Sequence, residues 1–118
     1  MKLLALAALA AATLSTAAQA DFARITSEEM FRANIADRTL VDEFGGTRLF
    51  GGNGGLGGRQ DSSVITGGWI WHEGALCHRT RIDGIEVEQD CALLWMRGNT
   101  VVMQTKRGRS TETVWKVH

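Results

Sequence analysis

The chain has no proline at all and only two cysteines among its 118 residues. The first absence removes one obstacle to continuous strand pairing, because proline cannot donate to a ladder. A surplus of one charge sign is missing as well: thirteen basic residues face thirteen acidic ones. A nucleic-acid binder advertises a basic surface, and none is visible at this level, so no nucleic-acid partner is expected. Beyond the start of the chain, no apolar run approaches the roughly 18 residues of a transmembrane helix. The chain is therefore not expected to be an integral membrane protein once its leader is removed.

The leader is the first feature that is present. Lys2 precedes a run of Leu and Ala from Leu3 to Ala12, followed by small and polar residues ending Ala18-Gln19-Ala20. A basic start, an apolar stretch too short to span a bilayer and an A-x-A site predict a secretory signal peptide over residues 1–20. Its removal leaves 98 residues, 21–118, enough for one domain with a single core. The expected compartment is the periplasm or the outside of the cell. There an even pair of cysteines, Cys77 and Cys91, is expected to form a disulfide. Closing a loop of roughly 15 residues contributes about 3 kcal/mol by restricting the unfolded chain.

Thr26-Ser27-Glu28-Glu29 has the form of a capping box, with Ile25 and Met30 placed as a hydrophobic staple. Met30, Phe31 and Ile35 give an apolar stripe, so a short helix is predicted over about 27–36. Thr39-Leu40-Val41 reads as a strand. Residues 45–58 then hold eight of the fourteen glycines, and Gly52-Asn53-Gly54-Gly55-Leu56-Gly57 fits G-x-G-x-x-G literally. A dinucleotide fingerprint needs a strand feeding a helix whose N-terminus holds the pyrophosphate. Arg59 through Thr66 carry no helical periodicity, so no nucleotide cofactor is expected. The stretch reads instead as a hairpin connection or a barrel rim.

From Val64 onward, turn signals at His72-Glu73-Gly74, Asp83-Gly84, Arg97-Gly98-Asn99 and Arg107-Gly108-Arg109 punctuate β-rich sequence. That spacing predicts a meander of antiparallel strands. Alternation assigns Trp69 and Trp71 to one face with Ile70 opposite, and Val87, Cys91, Leu93 and Trp95 to the core side of a later strand. Val101, Met103, Trp115 and Val117 are further core candidates. A two-residue loop at 83–84 would set Cys77 opposite Asp90. A disulfide therefore favours a three-residue loop at 83–85 or a bulge. The predicted fold class is mainly β: a small antiparallel meander, curved or barrel-like, with one short N-terminal helix.

Candidate chemistry is sparse. His72 and His78 lack a third convergent ligand, so no metal site is expected. Glu86, Glu88 and Asp90 read as a solvated face, paired with Arg79 and Arg81 across the hairpin. Lys106, Arg107 and Arg109 read as a charged hairpin tip able to contact an anionic partner. Four tryptophans, Trp69, Trp71, Trp95 and Trp115, are candidates for a cavity wall. No nucleophile elbow and no rigidly held acid/base pair stands out.

Gly68-Trp69-Ile70-Trp71-His72-Glu73-Gly74-Ala75-Leu76-Cys77, followed by Asp90-Cys91, is similar to a family of small secreted bacterial proteins. Its members show a Trp-x-Trp-x-x-Gly-x-x-Cys core, a second cysteine about a hairpin later and glycine turns between short strands. Many carry an inherited "dihydrodipicolinate reductase" label. The resemblance implies a secreted, disulfide-bonded β fold and supplies no catalytic residues. Reductase activity needs a nicotinamide-binding fold and is not expected here. The first expectation is a non-enzymatic binding module that holds a small apolar or amphipathic ligand or docks onto a partner protein. The second is a secreted inhibitor of a hydrolase, acting through a protruding loop. Its candidates are residues 51–60, with Asn53, Leu56 and Arg59, and residues 106–110, with Lys106, Arg107 and Arg109. An enzyme ranks third.

Overall fold

The structure, a computed structural model, describes residues 22–118, so the predicted signal peptide lies outside the described residues. Strand β1 (Ala23–Ile25) leads into helix α1 (Glu28–Asn34). Eight strands follow: β2 (Thr39–Asp42), β3 (Thr47–Phe50), β4 (Gly55–Gln60), β5 (Ser63–His72), β6 (Ala75–Ile82), β7 (Ile85–Arg97), β8 (Thr100–Gln104) and β9 (Glu112–Val117). Each pairs antiparallel with the next, and β9 returns to β2, with Asp42 opposite Trp115 and Leu40 opposite Val117. The result is a closed eight-stranded up-and-down barrel, in which β7 outruns β8 so that its residues 85–92 pair with β6 alone. β1 lies outside that ring, on the second half of β7, with Ile25 opposite Leu94.

Helix α1 starts one residue later than the capping box suggests. Pairing holds β1 through Ile25, and Ser27 is the N-cap, its hydroxyl accepting from the Met30 N–H at 3.2 Å. The Thr26 hydroxyl instead faces the Met30 sulfur. Phe31 is fully buried, with its ring 4.9 Å from Trp69, 5.7 Å from Trp71 and 5.9 Å from Phe50. The helix thus closes the barrel end formed by the 51–54 and 73–74 connections. Leu40, Leu76, Leu94, Val101, Met103 and Trp115 continue the core along the interior. As in other small barrels, side chains fill the inside.

Turn chemistry sets the register of the longest hairpins. Asp83 and Gly84 both have positive φ, at 50° and 83°, as do Glu73 and Gly74 at 50° and 77°. These are two-residue turns of the primed kind, whose twist suits antiparallel strands. The two-residue loop at 83–84 does not put Cys77 opposite Asp90, because Arg81 pairs with Glu86 while Thr80 pairs with Glu88. Val87 is left as a bulge, and beyond it Cys77 faces Cys91 and forms the disulfide.

The bulge also corrects the face assignment on β7. Ala92 and Leu94 are the fully buried residues, while Val87 is 53% exposed and Trp95 lies outside, beneath Arg24. This strand is apolar on both faces between 91 and 96, so alternation alone chose the wrong one. The carboxylate ladder is divided as well. Glu86 stays outside near Arg79, at 3.9 Å, whereas Glu88 approaches the buried His78, at 3.8 Å. The glycine-rich stretch pairs fully: residues 51–54 make a turn and β4 lies between β3 and β5.

Candidate functional site

Three strands build the floor of an exterior cleft of about 690 Å³. On the outward face, Ile70 of β5 is opposite Cys77 of β6, which is opposite Cys91 of β7. The next outward row runs from Gly68 through Arg79 to Gln89. Ile70 is 64% exposed although it stands between two tryptophans, because its neighbours point into the barrel and it points out. Gly68 and Gly54 add no side chains, so the floor is low there; its apolar part is the row of Ile70 and the disulfide, and Arg79 and Gln89 make the next row polar.

The rim is cationic. Lys106, Arg107 and Arg109 border the cleft from the connection between β8 and β9, and Arg79 borders it from β6. This connection joins the antiparallel pair β8 and β9, as the sequence leads one to expect of a hairpin tip, but it does not project. Residues Thr105–Gly108 fold back against β7, with left-handed backbone at Lys106 (φ 53°), Arg107 (φ 51°) and Gly108 (φ 85°). Left-handed conformation costs a side-chain-bearing residue roughly 1–2 kcal/mol. Anchors hold the turn in place: the Lys106 N–H donates to the Asp90 carboxylate at 3.1 Å, and the Arg107 guanidinium stands 3.8 Å from the Cys91 sulfur. Gly108 suits its place through its φ of 85°, which residues with a side chain rarely adopt, and the tip of Leu93 packs where a Cβ would stand. Asp90 also accepts from the Cys91 N–H at 2.7 Å, so backbone donors engage the carboxylate bordering the cleft.

Inside the barrel, a second polar group lies behind this floor. His78 is 9% exposed, shares a 3.0 Å hydrogen bond with the Thr80 hydroxyl and faces Glu88. Burial pushes the His78 imidazole below its usual value, while Glu88 and Asp90 oppose that shift and Arg48 adds to it. Burial likewise lowers Arg48, against the pull of Asp42 and Glu88. The Arg48 guanidinium sits 5.5 Å from the Trp115 ring centre, and the buried Trp115 Nε1–H has no hydrogen-bond partner. Of these polar residues His78 is buried, Arg48 and Thr80 are half-buried and Glu88 is exposed.

The sequence-derived candidates are dispersed. Lys106, Arg107 and Arg109 meet at the cleft together with Cys77 and Cys91. Of the four tryptophans only Trp69 borders it; Trp71 packs on Phe31, Trp95 lies under Arg24, and Trp115 is interior. Asn53 caps its own turn by accepting from the Gly55 N–H, Leu56 is buried, and Arg59 is exposed on β4 away from the cleft. Neither candidate loop stands free, since 55–60 is strand and 105–108 packs on β7. The sequence names Ile70 only as the residue opposite the Trp69 and Trp71 face and Arg79 only as a cross-strand partner, although an isoleucine on the outward side of a Trp-x-Trp strand is a legible sign of exposed apolar surface. Among the described residues no group of His, Cys, Asp or Glu is placed to hold a metal ion, and no helix is long and apolar enough to cross a membrane. Compared with protein-family models, curated proteins and solved structures, the chain finds no match.

Proposed function

We propose that this chain is an exported, non-enzymatic binding module that holds a small amphipathic ligand in the cleft over the Cys77–Cys91 disulfide. The observation that carries this reading is the cleft itself. Its volume lies in the range of small-molecule sites, and it combines an apolar row, Ile70 and the disulfide, with a few polar and cationic groups around it. Supporting geometry comes from the strained 105–108 turn, since backbone strain of this kind clusters at ligand clamps.

The test is fluorescence titration with anilinonaphthalene sulfonate, an amphipathic probe, comparing the wild type with Ile70→Asp. Ile70 is largely exposed, so the substitution spares the core. Saturable one-to-one binding, weakened at least about tenfold by Ile70→Asp, is expected; tenfold corresponds to about 1.4 kcal/mol. Equal binding by both proteins would place the probe elsewhere and sink the reading. Export is checked separately by the mass of protein recovered from the periplasm. A chain starting at Asp21 and lacking two hydrogens is expected, whereas a full-length reduced chain contradicts export.

A further inference from the structure

Most of the charge lies at one side of the cleft: Lys106, Arg107 and Arg109 lie beyond β7, while Ile70 and Gly54 lie at the other side with the disulfide between them, and Arg79 stands on the floor opposite Gly68. From β7 to β5 the floor crosses two strand intervals, about 10 Å, and Gly54 in the turn before β4 extends it. Four cations border the cleft against a single carboxylate, and that carboxylate, Asp90, is engaged by the N–H groups of Lys106 and Cys91. Arg79 is shared with Glu86 across an exposed 3.9 Å contact, which leaves the cations of the 105–109 segment as the dominant field. A peptide partner would be expected to add to unpaired main chain. At the floor β7 pairs only with β6, since its pairing with β8 begins at Leu93; its other edge is occupied there by the Asp90 carboxylate, which takes the Cys91 N–H, and by the 105–108 turn, whose Lys106 N–H donates to the same carboxylate.

Resting on the reading of the cleft as the binding site, we propose that its ligand is a single-chain anionic amphiphile, of the fatty carboxylate or alkyl phosphate class. The headgroup sits under Lys106, Arg107 and Arg109. The hydrocarbon tail crosses the disulfide and lies along Ile70 towards Gly54, with Arg79 flanking its path. Bidentate guanidinium contacts suit carboxylate and phosphate oxygens alike. The volume of about 690 Å³ fits one such chain, which favours a monomeric amphiphile over a bilayer surface.

Calorimetric titration of the oxidised full chain tests this with four probes below their micellar concentrations: dodecanoate, dodecyl phosphate, dodecanol and dodecyltrimethylammonium. The two anions are expected to bind one-to-one, the alcohol at least about tenfold more weakly and the cation not at all. Raising salt from about 50 mM to about 500 mM should weaken only the anions. The double variant Arg107→Ala, Arg109→Ala should reduce anion affinity while leaving dodecanol unchanged. The salt series on the wild type decides the matter should that variant not fold. Dodecanol binding as tightly as dodecanoate, in an Ile70-dependent manner, overturns the charge assignment and leaves the cleft reading standing. Acetate or inorganic phosphate binding as tightly as the long-chain anions overturns the tail assignment. Failure of all four probes overturns both readings. Binding to phosphatidylglycerol vesicles without binding of monomers replaces the proposal with a membrane-surface contact.

Discussion

Thr26 and Ser27 are adjacent hydroxyl residues, and only Ser27 reaches the amide of Met30. An N-cap hydroxyl supplies one of the acceptors that the first helical turn lacks, and its loss costs about 1 kcal/mol. Ser27→Ala is therefore expected to lower stability in urea by about 1 kcal/mol, with Thr26→Ala smaller. The reverse order would restore the capping box read from sequence. His78 carries a different consequence. Its proton affinity is lowered mainly by burial, with Glu88 and Asp90 opposing and Arg48 reinforcing the shift. Below the ordinary imidazole pKa of about 6.5, the unfolded chain therefore binds more protons than the native one. Stability consequently rises with pH through that window; it is fully present above the window and is lost as pH falls below it. Denaturation at about pH 7.5 and about pH 5.5 should show this loss in the wild type and a smaller one in His78→Gln. An identical loss in both proteins would assign the effect to other groups.

At the level of elements, close strand approach explains part of the glycine density. A Cβ on Gly67 would collide with the carbonyl oxygen of Arg79 on the neighbouring strand, and its φ of 154° is one that other residues rarely adopt. Gly57, on β4, has open space where a Cβ would go and no such backbone constraint. Gly67→Ala is expected to cost about 1–3 kcal/mol or break the β5–β6 pairing, whereas Gly57→Ala is near neutral. Equal midpoints in a urea series would remove the steric account. The meander was legible because turn signals and alternation recur at even spacing after Val64. The pairing of 45–58 was not, since glycine carries no facial signal. The core face of β7 was obscured because its outward apolar residues are covered locally, Leu93 by the 105–108 turn and Trp95 by Arg24.

For the whole molecule, closure is the decisive feature. β9 joins β8 to β2, so both neighbours would expose an unpaired edge without it. Removing residues 112–118 deletes the buried Trp115 and opens the ring. The truncated chain is expected to lose its cooperative thermal transition and to associate with rising concentration, as open edges do. A retained cooperative, monomeric transition would mean that the curved sheet is stable while open. The cleft also belongs to this scale. Its floor comes from β5–β7, and its cationic rim returns from the connection after β8, which the disulfide and Asp90 hold in reach.

Taken alone, the order of residues determined the β class, the helix near the start, the position of the hairpin turns and the pairing of Cys77 with Cys91. Each of these rests on local chemistry: a hydroxyl before a helix, φ-permissive residues at turns, alternation along strands. Tertiary structure alone decided closure of the ring, the face each half of β7 presents and the meeting of Lys106, Arg107 and Arg109 with Ile70. Those features depend on contacts between segments distant in sequence. One bulged residue, Val87, is enough to change which side chains share a face.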